Sequence, residues 1–250
     1  MRNPDDGRTA RARLHDAASG GEAGLRRGLW LSFLSPFGLE AATGAGVDWI
    51  GVDLQHGDLE LRDVAGLLRV AERADLPLLT RLPSHAPDVL GRALDLGVDG
   101  VIVPLVETVE QAAALVAAAR VPPTGARSTG TSRESVARLG ERPEPLLLLM
   151  IETADGLRKA ADILAVPGVD GVFVGPYDLS LSSGFPAPDS EQTLAALRTV
   201  TGLARAAGRM VGFMAGLPAL VAAAPEADLV AIDTDVAALR TGLDQLLGRS

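Results

Sequence analysis

The chain has no cysteine among its 250 residues. Disulfides and thiolate metal sites are therefore excluded, and cysteine usage carries no information on the compartment. Lysine is nearly absent as well. Lys159 is the single lysine, and the rest of the 23 basic residues are arginines. A mechanism that needs a lysine amine of lowered pKa thus has one candidate, set several residues into the helical stretch "ADGLRKAADIL". An excess of positive charge is missing too. With 32 acidic residues the formal net charge is -9, so no nucleic-acid surface is expected. No run of about 18 uncharged apolar residues occurs, so no membrane span is expected. The opening stretch "MRNPDDGRTARARLHDAASGGEAG" lacks the apolar core of a secretory signal. It has the composition of a mobile, mixed-charge leader over residues 1–24, and a cytoplasmic protein is the expectation.

What is present is a repeating alternation. At 47% hydrophobic, the chain is long enough for one large core, and residues 25–250 are expected to form one domain. Apolar runs of strand length recur at 29–33, 49–53, 78–81, 100–104, 146–151, 171–174, 210–213 and 229–232. Between them lie Ala-, Leu- and Arg-rich stretches with helical spacing, of which "LRDVAGLLRVAERA" and "VETVEQAAALVAAAR" are the clearest. "AGVDWI", "LGVDGV" and "PGVDGV" mark helix-to-strand turns, with glycine at the helix end. Strands that alternate with helices imply a parallel sheet with right-handed crossovers. Eight such strands suit a closed (β/α)8 barrel. An open doubly wound sheet is the alternative, but no G-x-G-x-x-G follows the first strand. One connection is long: the Pro-, Gly-, Ser- and Arg-rich segment between Arg120 and Leu146 suits either a functional loop or an added surface helix.

In a (β/α)8 barrel the active site lies at the C-terminal ends of the strands. The polar residues placed there are Asp53, Gln55 and His56 after the second strand, Arg81 at the end of the third, Glu107 after the fourth, Glu152 after the fifth and Asp178 after the sixth. Taken singly, each has an ordinary role. A strand-end Asp caps the next helix, Glu107 suits a helix first turn, and a lone His or Arg is satisfied by a neighbour. His15 and His85 fall in the leader and at a helix start. One histidine, one arginine and two carboxylates converging on one mouth are harder to explain without chemistry. Glu152 and Asp178 end adjacent strands, and paired carboxylates suit a hard divalent cation that keeps positions for substrate oxygens. A 2-oxo acid has the oxygens to fill them. The backbone N–H groups at the helix start after Gly175 can receive an anion, Arg81 can stabilise a developing negative charge, and His56 can move a proton near neutral pH.

The segments "AGVDWIGVDLQHG", "TRLP", "DLGVDGVIVP", "PPTGAR", "IET" and "GVDGVFVGPYDLS" occur in an order and spacing that resembles the HpcH/HpaI aldolase family, the metal-dependent pyruvate aldolases, from about Gly28 onward. The resemblance implies a TIM barrel assembled as a homohexamer with the C-terminal helix exchanged between subunits. It implies Glu152 and Asp178 as ligands of Mg²⁺, Mn²⁺ or Co²⁺, His56 as the base and Arg81 as the group that polarises the keto oxygen. It assigns Asp95 to raising the basicity of the histidine, although Asp95 falls on a helix and would act across a subunit contact. The backbone of Gly175 and Tyr177 would hold the pyruvate carboxylate, and Asp178 and Met150 would also meet the substrate. Two positions depart from the family pattern. Met150 stands where many members have Gln, and Tyr177 stands where a small residue precedes the second metal ligand.

The implied activity is a lyase that cleaves 4-hydroxy-2-oxo acids to pyruvate and an aldehyde, or condenses them. Its partners are a small 2-oxo acid and an aldehyde, with neither nucleic acid nor membrane. The alternatives are a citryl- or malyl-CoA-type lyase, for which an Arg-rich 126–142 loop is the available cationic surface, and a catalytically silent barrel serving binding or assembly.

Overall fold

The structure is a computed structural model that describes residue 14 and residues 25–137, 144–223 and 227–249. Eight strands, β1 (Arg26–Leu31), β2 (Trp49–Asp53), β3 (Leu78–Arg81), β4 (Gly100–Val103), β5 (Leu146–Ile151), β6 (Gly171–Val174), β7 (Met210–Met214) and β8 (Leu229–Thr234), pair in parallel in chain order. β8 returns to β1 and closes the barrel. The expected strands match these within a few residues. The first differs most, because the N–H groups of Ser32, Phe33 and Leu34 leave the ladder and donate to the Asp235 carboxylate.

The helices are α1 (Pro36–Ala42), α2 (Leu61–Arg73), α3 (Pro87–Leu96), α4 (Val109–Ala119), α5 (Arg133–Ala137), α6 (Ala154–Arg158), α7 (Ala160–Leu164), α8 (Pro176–Ser183), α9 (Glu191–Ala206), α10 (Pro218–Ala222) and α11 (Asp235–Leu246). In α2 the buried residues are Val64, Leu67, Leu68 and Ala71, one apolar stripe at helical spacing. Thr108 and Gln111 start α4 as a reciprocal capping box. The long connection carries α5, and residues 138–143 lie outside the described residues. The leader also lies outside them, apart from Leu14, which is helical and fully buried among the side chains of the barrel interior.

Successive strand residues point in opposite directions, and this alternation builds two apolar layers. Outward residues such as Ile50, Val52, Val101, Val103, Leu147, Leu149, Val172 and Val174 pack against the helices. Inward residues fill the lumen: Trp30, Trp49, Leu79, Ile102, Leu146, Leu148, Phe173, Met210 and Leu229. Trp30 stacks on Phe173 with centroids 5.5 Å apart, and the Trp49 ring meets both edge-on at 6.4 Å. Inward glycines make this possible. A Cβ on Gly28 would lie 2.2 Å from the Trp49 ring, one on Gly51 2.4 Å from Trp30, and one on Gly212 2.6 Å from Phe173. Bulky and absent side chains alternate because the lumen has a fixed volume.

The bottom of the barrel repeats one device four times. Asp48, Asp99, Asp170 and Asp228 each precede an even-numbered strand. Each carboxylate accepts the backbone N–H of a residue at the start of the preceding odd-numbered strand, namely Arg27, Leu78, Leu147 and Val211, at 2.7–2.9 Å. The backbone N–H of the same aspartate donates to the carbonyl of that same residue. The "GVD" phrases that announce helix-to-strand turns thus also clamp the strands in pairs. Asp228 is buried and additionally holds Arg205. Replacing it by Ala leaves the Val211 N–H without its acceptor, which costs about 1–3 kcal/mol. Asp228→Ala should therefore lower the melting temperature by about 3–10 °C, and Asp228→Asn, which keeps an acceptor, should lower it less. Thermal denaturation followed by far-UV circular dichroism measures both, and equal melting points for the two variants would refute the clamp.

Candidate active site

Above the stacked Trp30 and Phe173 rings the lumen opens into a cavity of about 300 Å³. Its lining includes Asp53, His56, Arg81, Met150, Glu152, Gly175, Tyr177 and Asp178, all within the predicted rim or its immediate neighbours. The inward alternation explains the set. Asp53, Arg81, Met150, Glu152 and Gly175 continue the inward series of β2, β3, β5 and β6, so each strand turns from apolar to polar where it leaves the packed lumen. This accounts for the acid beyond the buried strand β6. Pro176 stops the strand and starts α8, and Asp178 falls in its first turn.

Asp53 and Arg81 form a buried pair. Arg81 donates Nε to Oδ1 at 2.9 Å and Nη2 to Oδ2 at 2.5 Å. The Asp53 carboxylate also accepts the Trp30 indole N–H at 3.2 Å and the backbone N–H groups of Gln55 and His56. Burial alone would raise the Asp53 carboxyl, but Arg81 and these donors outweigh it and hold the pKa below the ordinary value. The guanidinium lies 5.4 Å from the centre of the Trp30 ring. Arg81 is therefore held on two sides, while Nη1 has no protein partner among the described residues. Asp53 orients it and ties down the loop that carries His56.

Glu152 is the opposite case. It is 2% exposed, and Oε1 accepts the Leu105 N–H at 2.8 Å. Leu105 reaches it from a left-handed backbone conformation, φ 56°, uncommon for leucine. Oε2 is buried and has no hydrogen-bond partner. Burial raises the Glu152 pKa; the Leu105 N–H counteracts this, and the negative charge of Asp178 raises it further. A Cβ on Gly175 would come within 2.8 Å of Oε2, so glycine here leaves the carboxylate room. A buried acid with an orphaned oxygen beside a second, exposed carboxylate fits a divalent cation. No cluster of three or more His, Asp or Glu suited to a metal occurs among the described residues. Two carboxylates would thus be the protein's share, with water and substrate oxygens completing the shell.

The remaining predicted residues divide. His56 is exposed at the cavity mouth, and Met150 is buried in its floor. Tyr177 lines the side, its phenol oxygen 2.7 Å from where a Cβ on Gly216 would stand. Burial raises the phenol pKa, and the charges of Asp233 and Asp189 add to the shift. Glu107 does not line the cavity; its backbone N–H donates to Gln111 ahead of α4. Asp95 lies on α3, away from this cavity, in an ion pair with Arg127 at 2.8 Å. Within one chain it does not meet His56.

Sequence reasoning missed the β1, β7 and β8 side of the cavity: Ser32, Met214, Gly216, Asp233 and Thr234. The inward alternation from Ala231 points to Asp233, and a strand ended at residue 232 hides it. Also missed is Asp235. It is buried, and its carboxylate accepts three consecutive N–H groups of the β1–α1 loop and that of Val236. It fastens the closing seam and sets Ser32 at the rim.

The model of the HpcH/HpaI aldolase/citrate lyase family matches residues 26–241. The hydroxypyruvate/pyruvate aldolase of Roseovarius nubinhibens is 33% identical over 200 residues, which cover 76% of this chain and 78% of the relative. The 2-keto-3-deoxy-L-rhamnonate aldolase of Klebsiella pneumoniae is 34% identical over 236 residues, covering 88% and 86%. Among solved structures, an HpcH/HpaI aldolase/citrate lyase family protein of Burkholderia cenocepacia superimposes with a TM-score of 0.85 over 95% of this chain and 98% of that one, at 30% identity.

Because the Glu152 pKa is raised on folding, the folded state binds this proton more tightly than the unfolded state. Metal-free protein should therefore lose stability as pH rises from about 4.5 through the raised value. Glu152→Gln keeps an acceptor for Leu105 and removes the buried charge. In chelator its melting temperature should exceed that of the wild type at pH 7–8, with the difference narrowing toward pH 4.5. A variant less stable than wild type at pH 7 in chelator would mean that Oε2 is satisfied without a cation.

Proposed function

The chain belongs to the HpcH/HpaI aldolase/citrate lyase family, and we propose that it is a metal-dependent pyruvate aldolase, a lyase that cleaves 4-hydroxy-2-oxo acids to pyruvate and an aldehyde and runs the reverse condensation. The observation that carries this reading is the orphaned, buried Glu152 oxygen beside Asp178, in one cavity with Arg81 and His56.

Glu152 and Asp178 would hold the cation, with Mg²⁺, Mn²⁺ and Co²⁺ all suited to two carboxylates. The chemistry a divalent cation supplies there is Lewis-acid withdrawal of electron density from the keto group of a 2-oxo acid. The first turn of α8 supplies an anion site. Its cap, Gly175, offers no side chain, Pro176 has no N–H, and the N–H groups of Tyr177 and Asp178 come next in line for the substrate carboxylate. His56 takes the proton of the C4 hydroxyl. The C4–O bond becomes the aldehyde carbonyl, the C3–C4 bond breaks, and its electron pair passes to the C2 oxygen. Arg81 stabilises that developing charge with the guanidinium edge that Asp53 leaves unused. Protonation at C3 then gives pyruvate. Met150 contributes an apolar floor to this part of the cavity.

A lysine Schiff base is not available. Lys159 ends α6 at an exposed position and does not line the cavity. A homo-oligomer, the hexamer with an exchanged C-terminal helix, is supported by α11, on and beyond which Leu239, Leu243, Leu246 and Leu247 are exposed. Asp95 would reach a histidine only across such a contact.

With pyruvate and glycolaldehyde, chelation should stop aldol formation and added Mg²⁺, Mn²⁺ or Co²⁺ should restore it. Borohydride in the presence of pyruvate should leave activity and mass unchanged. His56→Ala should lower kcat by about 10²–10⁴-fold with little change in pyruvate affinity. Activity that survives EDTA, together with a reduced pyruvate adduct on Lys159, would overturn the mechanism.

A further inference from the structure

The cavity has two unlike walls. One carries His56, Arg81, Met150 and Glu152, which serve the 2-oxo acid. The other is built by the ends of β7, β8 and β1 and carries Met214, Gly216, Asp233, Thr234 and Ser32. Tyr177 stands at its edge, and Gly216, at φ +62°, leaves the space its phenol oxygen fills. An aldehyde seated beside the 2-oxo acid would turn its substituent to this second wall, whose charged residue is Asp233.

Asp233 is half-buried, and its described hydrogen bond is from the Thr234 N–H to Oδ1 at 2.7 Å. Among the described residues no arginine, lysine or histidine forms an ion pair with it. The guanidinium in the lining, Arg81, pairs with Asp53, and its remaining edge is the one assigned above to the 2-oxo acid. Glu152 and Asp178 would balance a divalent cation, so the Asp233 charge is additional to that pair. It repels a second carboxylate and accepts hydrogen bonds from hydroxyl groups. The Thr234 hydroxyl, whose oxygen accepts the Ala237 N–H, keeps its own proton to donate.

We infer that Asp233 selects aldehydes with neutral, hydroxylated tails and rejects aldehydes that carry a carboxylate. The inference rests on the aldolase reading and adds the class of aldehyde to it. Glyceraldehyde and tartronate semialdehyde differ only by a carboxylate in place of the terminal CH₂OH, so they isolate the effect. The metal-loaded wild type should favour glyceraldehyde in kcat/KM by about tenfold or more, as like charges a few ångströms apart in a half-solvated site repel by that amount. Asp233→Asn keeps the acceptor for Thr234 and should raise kcat/KM for tartronate semialdehyde about tenfold. Asp233→Ser should move the ratio in the same direction. A gain on one substrate cannot arise from a damaged fold. A wild-type ratio near one, or a ratio unmoved in both variants, overturns the inference. Exchange of the pyruvate methyl protons in D₂O, followed by NMR on the wild type, needs no aldehyde. If exchange occurs while the ratio stays unmoved, only the role of Asp233 fails; if no exchange occurs, the aldolase reading falls and this inference with it.

Discussion

The cavity exists because three aromatic rings fill the middle of the barrel and end there. Eight strands enclose a lumen that side chains must fill, since any gap forfeits the contacts of its lining. Trp30, Trp49 and Phe173 occupy that volume, and inward glycines on β1, β2 and β7 leave the space for them. The rings exclude water from below and form the floor above which polar residues replace apolar ones. Trp30 joins the two regions. Its face stacks on Phe173 and approaches the Arg81 guanidinium, and its indole N–H donates to Asp53.

Two pairs of ionisable groups above this floor have opposite physics. Asp53 and Arg81 neutralise each other with bidentate geometry and further donors, so they form a rigid support. Glu152 and Asp178 are like charges, one of them buried with an oxygen left unsatisfied. Such a group is costly in the metal-free protein and gains from any cation that binds. The raised Glu152 pKa and the proposed metal site are one feature seen from two sides: the carboxylate is destabilised where a positive charge is to be placed.

The scaffold separates stability from chemistry along the barrel axis. At the N-terminal end four aspartates clamp strands in pairs by accepting backbone N–H groups, and the carboxylates of Asp170 and Asp228 also hold arginines. At the C-terminal end Asp235 plays the same structural part for the closing seam, while Asp178 and Asp233 remain open to the cavity. Residue type alone does not tell these aspartates apart; the partners that the fold brings to each carboxylate do.

The sequence by itself was enough for the number and order of the strands, the helical spacing of α2 and α4 and the convergence of His56, Arg81, Glu152 and Asp178. Each of these follows from local period, local turn chemistry or the rule that barrel sites form at strand C-terminal ends. Only the tertiary structure decided the rest. Asp53 is spent on Arg81, Glu107 and Asp95 lie away from the cavity of their own chain, and Asp233 belongs to it. Asp235 holds a loop some 200 residues earlier in the chain. The Asp233 and Asp235 outcomes depend on how β8 meets β1. Between Gly28 and Leu29 the register skips a residue of β8, so that Asp233 pairs with Leu29 while Ile232 is passed over. A contact between chain ends leaves no periodic trace in either segment, because the partner that satisfies each carboxylate is absent from its own neighbourhood in sequence.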